Sequence, residues 1–191
     1  NPKLVSLNTF DMNAGTINLQ ANGSLENFIP YALKNEVMKG QLKMNSAKID
    51  LNEWMSDDAT AAAKADTSTL KAVEIPANID FSISALIGTL IYQNLVMTNV
   101  HGLIEMKDRK LSMTNLEMNM LDGSLTMNGS YATVNPKRPN INFNLAVTDF
   151  NIQKTADAFP TVAKMAPVAK NSSGKFSSKL NVKGNLDEHL N

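Results

Sequence analysis

The chain has 191 residues, 43% of them hydrophobic, with 18 basic and 18 acidic side chains and no cysteine. Zero net charge without a basic block removes the electrostatic footprint of a nucleic-acid binder. Without cysteine there are no disulfides, thiolate metal centres or thiol nucleophiles, and no apolar run approaches the ~18 residues of a membrane-crossing helix.

A chain of this size can bury about two-thirds of its unfolded surface. It opens on NPKLVSLNTF, with neither an initiator Met nor a signal-like basic and apolar start. It therefore reads as an interior piece of a longer protein. Eleven Met residues and abundant Asn stand out. Asn, Thr and Ser in place of Lys and Glu make polar faces that are wet but weakly charged.

Period-2 alternation dominates from the start and predicts strands. Residues 16–22 read T-I-N-L-Q-A-N. The next segment, SLENFIPYALKNEVM, switches to helical spacing. Ser24 is its expected N-cap, Leu25, Phe28, Ile29 and Leu33 share a side, and Pro30 keeps it short or kinked. In VMKGQLKMNSAKIDL, Leu42 and Met44 share a face, with a phase slip expected before Ile49 and Leu51. Residues 52–73 have few anchors beyond Trp54 and Met55 and predict a short helical turn followed by a mobile Ala-rich loop over 56–72.

From about residue 77 to 149 the pattern is an antiparallel meander of strands of ten or more residues. Ile79, Phe81 and Ile83 share one face; so do Val100, Ile104 and Met106. A turn at Asp108 and Arg109 leads to Leu111 and Met113, after which the phase slips by one to Leu116, Met118 and Met120, as a β-bulge would require. Asp122-Gly123 is a hairpin signal. Leu125, Met127 and Tyr131 follow on one face, and Ile141, Phe143, Leu145 and Val147 point inward beyond the turn at NPKRP. Residues 151–170 return to helical spacing, with Pro160 and Pro167 as breaks, and GKFSSKLNVKGNL closes with Phe176, Leu180 and Val182 on one side.

One phrase is written twice. FDMNAGTINLQANGSL (10–25) and LEMNMLDGSLTMNGSY (116–131) share an [F/L]-[D/E]-M-N start, an alternating strand and an N-G-S ending. Further on, KIDLNEW parallels DFNIQKT, with Asp50 or Asn151 opening a helical turn.

Candidate chemistry is sparse. His101 lies in a strand, where a solvent-facing role is expected, and His189 sits near the C-terminus. One internal His without Cys makes no familiar zinc site. No nucleophile elbow, P-loop or dinucleotide fingerprint occurs. Asp57 and Asp58 read as loop solvation, and Glu105 and Glu117 as polar-face charges. The N-x-S sequons at Asn22, Asn128 and Asn171 are expected by chance in an Asn-rich chain. No cofactor, metal or enzymatic activity is expected; a hydrolase built on an unsignalled carboxylate pair is the remaining catalytic alternative.

The Leu and Met stripe is what remains. A broad apolar sheet face that two interrupted helices cannot cover must close, pair with another sheet or bind something greasy. Met adapts to irregular apolar partners.

The order of LEMNMLDGSLTMNGSYATV, PNINFNLAVTDFNIQKTADAFP, a helix and SSGKFSSKLNVKGNLDEHL, preceded by IPANIDFSISALIG, resembles the C-terminal region of AsmA-like proteins of Gram-negative envelopes over roughly residues 74–191. Those proteins are membrane-anchored by an N-terminal helix, extend through the periplasm and are related to TamB-type and bridge-like lipid-transfer proteins. The resemblance implies a periplasmic segment of such a protein, anchored to the inner membrane by a helix outside this sequence. It would serve phospholipid transport or outer-membrane maintenance. The expected fold is mainly β with minor α: a long, twisted antiparallel sheet curled around one or two amphipathic helices as a half-barrel or groove. Residues 1–73 would form a partial, degenerate repeat unit and 74–191 the AsmA-like meander plus helix, together one continuous domain.

Ile79, Phe81, Ile83, Leu125, Met127, Phe143, Leu145 and Val147 are the candidates for a lipid groove or the core beneath a helix. Lipid acyl chains, envelope proteins or neighbouring segments of the same chain are the expected partners, and no nucleic acid is. The alternative is a non-enzymatic structural or assembly module that docks to outer-membrane biogenesis partners through its strand edges.

Overall fold

The computed structural model describes residues 4–15, 17–53, 74–159, 162, 164 and 166–186. Trp54, Met55, the 56–72 loop with Asp57 and Asp58, Pro160 and His189 lie outside them.

The described strands are β1 (Leu4–Ala14), β2 (Ile17–Glu26), β3 (Met38–Asp50), β4 (Ile79–Tyr92), β5 (Leu95–Lys107), β6 (Lys110–Met120), β7 (Gly123–Ala132), β8 (Asn140–Asn151) and β9 (Lys175–Asn185). They form one nine-stranded sheet in sequence order, open at β1 and β9 and not closed into a barrel. Strand lengths run from 10 to 14 residues, twice the usual five or six. Every junction is antiparallel except β3 to β4, which is parallel. The sheet is thus mixed, where the alternation alone predicts an antiparallel one. The reason is topological: the connection between β3 and β4 returns the chain to the end from which β3 started.

Two-residue turns with both residues at positive φ, the form that matches strand twist, join β5 to β6 (Asp108, φ 50; Arg109, φ 61) and β6 to β7 (Leu121, φ 50; Asp122, φ 63). The second turn lies one residue before the Asp122-Gly123 signal: Gly123 already pairs with Met120.

Helix α1 (Phe28–Lys34) begins later than its pattern implies. Ser24 and Leu25 belong to β2, paired with β1 and β3. The N-cap is Asn27, at φ 60, without a side-chain cap. Cross-strand pairing on both sides outcompetes an isolated helical turn for Ser24. Helix α2 (Ile152–Ala158) is capped as expected: Asn151 Oδ1 accepts from Lys154 N at 2.9 Å. Its counterpart after β3 does the same, with Asp50 Oδ1 accepting from Asn52 N at 3.0 Å. Phe159 ends α2 in extended conformation, and Pro167 opens a 3-10 turn, Pro167–Asn171.

The slip after Met113 is a bulge. Thr114 and Asn115 stand against Asn128, and Asn115, at φ 46, donates its backbone N–H to Asn128 Oδ1 at 2.8 Å. In β1, Asn8 and Thr9 stand against Asn22 in the same way. Both bulges therefore face the Asn of an Asn-Gly-Ser phrase. The following glycines are also alike. A Cβ on Gly23 would overlap the Gln41 carbonyl oxygen, and one on Gly129 the Asn142 carbonyl oxygen, so the neighbouring strand comes too close for any side chain. The written repeat is therefore a structural one: β1-β2-β3 and a capped helical turn recur as β6-β7-β8 and α2. The slip before Ile49 is present too. Buried positions move from Ser46 to Ile49, and β4 shifts with β3 without loss of register.

Candidate functional site

The registers stack apolar residues into rows that cross the sheet. One runs Gly40–Phe81–Met106–Leu111–Tyr131–Ile141; the next runs Leu42–Ile83–Ile104–Met113–Gly129–Phe143. Further along, Leu116–Met127–Leu145 and Met118–Leu125–Val147 continue the same face. The eight candidate residues all lie on this face. Met127 pairs with Leu145, Leu125 with Val147, and Phe143 with Gly129. Ile79, Phe81 and Ile83 stand on β4, and the rows through β5 and β6 join the two groups. Ile104, Met106, Leu111 and Met113 belong to the same face; their alternation is visible in the sequence, but only register shows that they bridge the two groups.

Burial along the face is uneven. Ile49, Ile87, Met97, Val100, Leu116, Met118, Met120 and Phe150 form a continuous buried cluster at one end of the sheet. Thr155 and Ala156 of α2 and Ala169 of the 3-10 turn are buried at the same end, and Phe159 packs on the cluster. Helix α2 is held there by Asn151 N to Leu121 O (2.9 Å), Ile152 N to Gly174 O (3.1 Å) and Lys154 Nζ to Asp122 Oδ1 (2.7 Å). Phe176 meets Phe150 edge-on at 6.2 Å between centroids. Away from this end burial is incomplete, except beyond the end of β7, where Ile75 N donates to Thr133 Oγ1 at 2.8 Å and Ile75, Thr133 and Pro139 are buried. All eight candidate residues are half-buried, Leu125, Met127 and Val147 of them packed against the cluster, and Leu180 and Val182 of the edge strand β9 are 49% and 42% exposed.

Scale explains the difference. Nine strands spaced ~4.8 Å and ~40 Å long present a face of about 1,500 Å² if laid flat. A seven-residue helix is about 10 Å long and 10 Å wide, and covers about 100 Å². Helix α1, expected to lay Phe28, Ile29 and Leu33 on the sheet, buries no residue at all; Phe28 is 49% and Leu33 77% exposed. The described helices therefore leave most of the apolar face to other cover.

The opposite face is polar and ordered by cross-strand pairs. Glu26, Lys39, Asp80 and Lys107 alternate in sign across β2 to β5, and Lys107 Nζ meets Asp80 Oδ2 at 2.9 Å. The hydrogen bond and charge of Asp80 raise the Lys107 pKa above its ordinary value. His101 faces solvent as expected, with Nδ1 2.9 Å from Asn99 O and Nε2 3.4 Å from Glu117 Oε2. A depression of about 320 Å³ on this face holds Glu26, Asp80 and Glu105, with Lys39 among them. The alternation of charges there is the pattern that stabilises paired strands. Among the described residues no group of three His, Asp or Glu could hold a metal ion, and no described helix is long and apolar enough to cross a membrane.

Compared with protein-family models, with curated proteins and with solved structures, the chain matches none.

Proposed function

We propose that this chain is a segment of an AsmA-like envelope protein whose apolar sheet face takes lipid acyl chains, in phospholipid transport or outer-membrane maintenance. The observation that carries the reading is the row of half-buried apolar residues through Ile83, Ile104, Met113 and Phe143, continuous across the sheet. An acyl chain laid along it gains about 0.8 kcal/mol per methylene removed from water. Bulges at Asn115 and Asp149, each at positive φ, add local twist. On this reading they curl the sheet so that the apolar face becomes the inside of a trough, with the cluster around Met118 and Phe150 as its closed end. The segment works in the periplasm, anchored to the inner membrane by a helix outside this sequence.

A second reading, a non-enzymatic assembly module docking through its strand edges, draws on the open sheet: among the described residues β1 and β9 each leave one side unpaired. Lys175, Lys179 and Lys183 recur along β9, and edge lysines discourage added strands. The bulge in β1 acts the same way. Both edges thus count against this reading.

Native mass spectrometry of the purified chain, before and after delipidation, tests the proposal. Bound phospholipid that is lost on delipidation and regained on adding lipid is the expected result. A chain that carries no lipid in either state contradicts it.

A further inference from the structure

The two ends of the sheet are closed by unequal means. At the cluster end α2 is held by three polar contacts, with its Thr155 and Ala156 buried. The opposite end is crossed by residues 74–78, which lead into β4. Ile75 N donates to Thr133 Oγ1 at 2.8 Å, and Thr133 follows the last residue of β7. Thr133 N in turn donates to Arg109 O, in the β5–β6 turn, at 2.8 Å. Ile75 is therefore tied to the end of β7, although the strand it enters four residues later lies three places away, beyond β5 and β6. The segment crosses on the apolar side. Thr133 stands two residues after Tyr131, which lies in the outermost apolar row, and side chains two apart share a face.

Little holds this crossing segment. Thr133 is 0% and Ile75 6% exposed, but Glu74, Pro76 and Ala77 are exposed. Pro76 has no N–H to give. Asn78 is fixed: its carbonyl accepts from Met38 N at 3.0 Å, and its Nδ2 donates to Asn35 Oδ1 at 2.6 Å. Between that hinge and the far attachment the segment depends on one hydrogen bond and one buried apolar side chain. Backbone held so lightly opens at a free energy well below that of the whole sheet. The Thr133 hydroxyl reaches Arg109 O only at 3.4 Å, so its oxygen acts mainly as the acceptor for Ile75. Without that oxygen a buried N–H is unpaired in the closed state but satisfied by water in the open one.

We propose that residues 74–78 are a strap that closes this end of the apolar face, with Thr133 as its latch, and that the strap swings open about Asn78 while the sheet stays folded. The inference deepens the acyl-chain reading, on which it rests for the ligand admitted, by assigning the opening through which an acyl chain enters. The strap itself stands on Ile75, Thr133 and Asn78. Thr133 is a positioning residue, acting through Ile75.

The test is amide hydrogen exchange of the full chain, read at Ile75 and at Phe143 and Leu145 of β8, together with binding of an environment-sensitive apolar dye. Ile75 is expected to exchange faster than the two β8 amides. Thr133→Val keeps the shape and removes the acceptor. It raises exchange at Ile75 by about fivefold or more, leaves the β8 amides unchanged and raises dye binding. Thr133→Ser, which keeps the oxygen, restores both. A variant that merely destabilises the fold raises exchange at all three amides. Exchange at Ile75 in step with Phe143 and Leu145, in the parent chain or in Thr133→Val, overturns the proposal. Dye binding that Thr133→Val leaves unchanged also overturns it. The lipid reading is judged separately: dye binding raised in the variant, with no phospholipid found by native mass spectrometry in either form, retains the strap and sinks the acyl-chain reading.

Discussion

Met118 and Met127 are a matched pair for asking whether the apolar face is core or trough. They lie on neighbouring strands of the same face, Met118 opposite Leu125 and Met127 opposite Leu116. Met118 is 7% exposed within the buried cluster; Met127 is half-buried at its margin. Truncating a buried Met to Ala costs about 2–5 kcal/mol, because a cavity is left behind along with the lost transfer energy. At Met127 only part of the ~1.5–3 kcal/mol of full burial is at stake. A half-buried side chain packed only at the margin of the cluster leaves a smaller cavity, so about 1 kcal/mol is expected. With a urea dependence of about 2 kcal/mol/M, Met118→Ala shifts the unfolding midpoint by about 1.5 M and Met127→Ala by about 0.5 M. The slope should be the same in both. Equal shifts would mean that the face is closed, uniform core and would refute the trough reasoning.

The repeated glycines give a second expectation: Gly129→Ala and Gly23→Ala each lose about 1–3 kcal/mol by thermal unfolding, because a methyl strikes neighbouring backbone. Gly184→Ala, where nothing lies within 4 Å, stays within about 0.5 kcal/mol, and similar losses at all three would dismiss the close-approach argument. The Asp80–Lys107 bridge is exposed and adds little stability. With the Lys107 pKa raised above 10.5, its contribution is complete below that value and is lost as pH rises through the raised one. Asp80→Asn should move the Lys107 titration, followed by NMR of the side-chain methylene, down toward the ordinary value; an unmoved titration would mean that the bridge is not formed in solution.

Strand content and facing were legible because alternation is a local signal. Ile141, Phe143, Leu145 and Val147 share a face wherever β8 is placed. The bulge before Leu116 was legible for the same reason, since a phase slip has few other causes. The parallel β3–β4 junction was not legible, because it depends on the path of a long connection and not on either strand. Helix α1 misled for a different reason. The spacing of Leu25, Phe28, Ile29 and Leu33 does suggest an apolar stripe, but Leu25 is committed to cross-strand pairs, and the short helix that remains fully buries none of its residues. At the site, the sequence contained every residue of the apolar rows but not their order across strands. Ile104 and Met113 became part of one surface with Phe143 only through register.

The most direct test of the acyl-chain face uses two adjacent positions on β8. Phe143 pairs with Gly129 and Val182 on the apolar face, while Asn144 pairs with Asn128 on the polar one, its Oδ1 accepting from Asn181 Nδ2 at 2.7 Å. A photo-reactive residue placed at each in turn, in cells or with purified lipid, should give phospholipid adducts from position 143 and none from position 144. Adducts from both positions, or from neither, would contradict a lipid-bearing trough on this face.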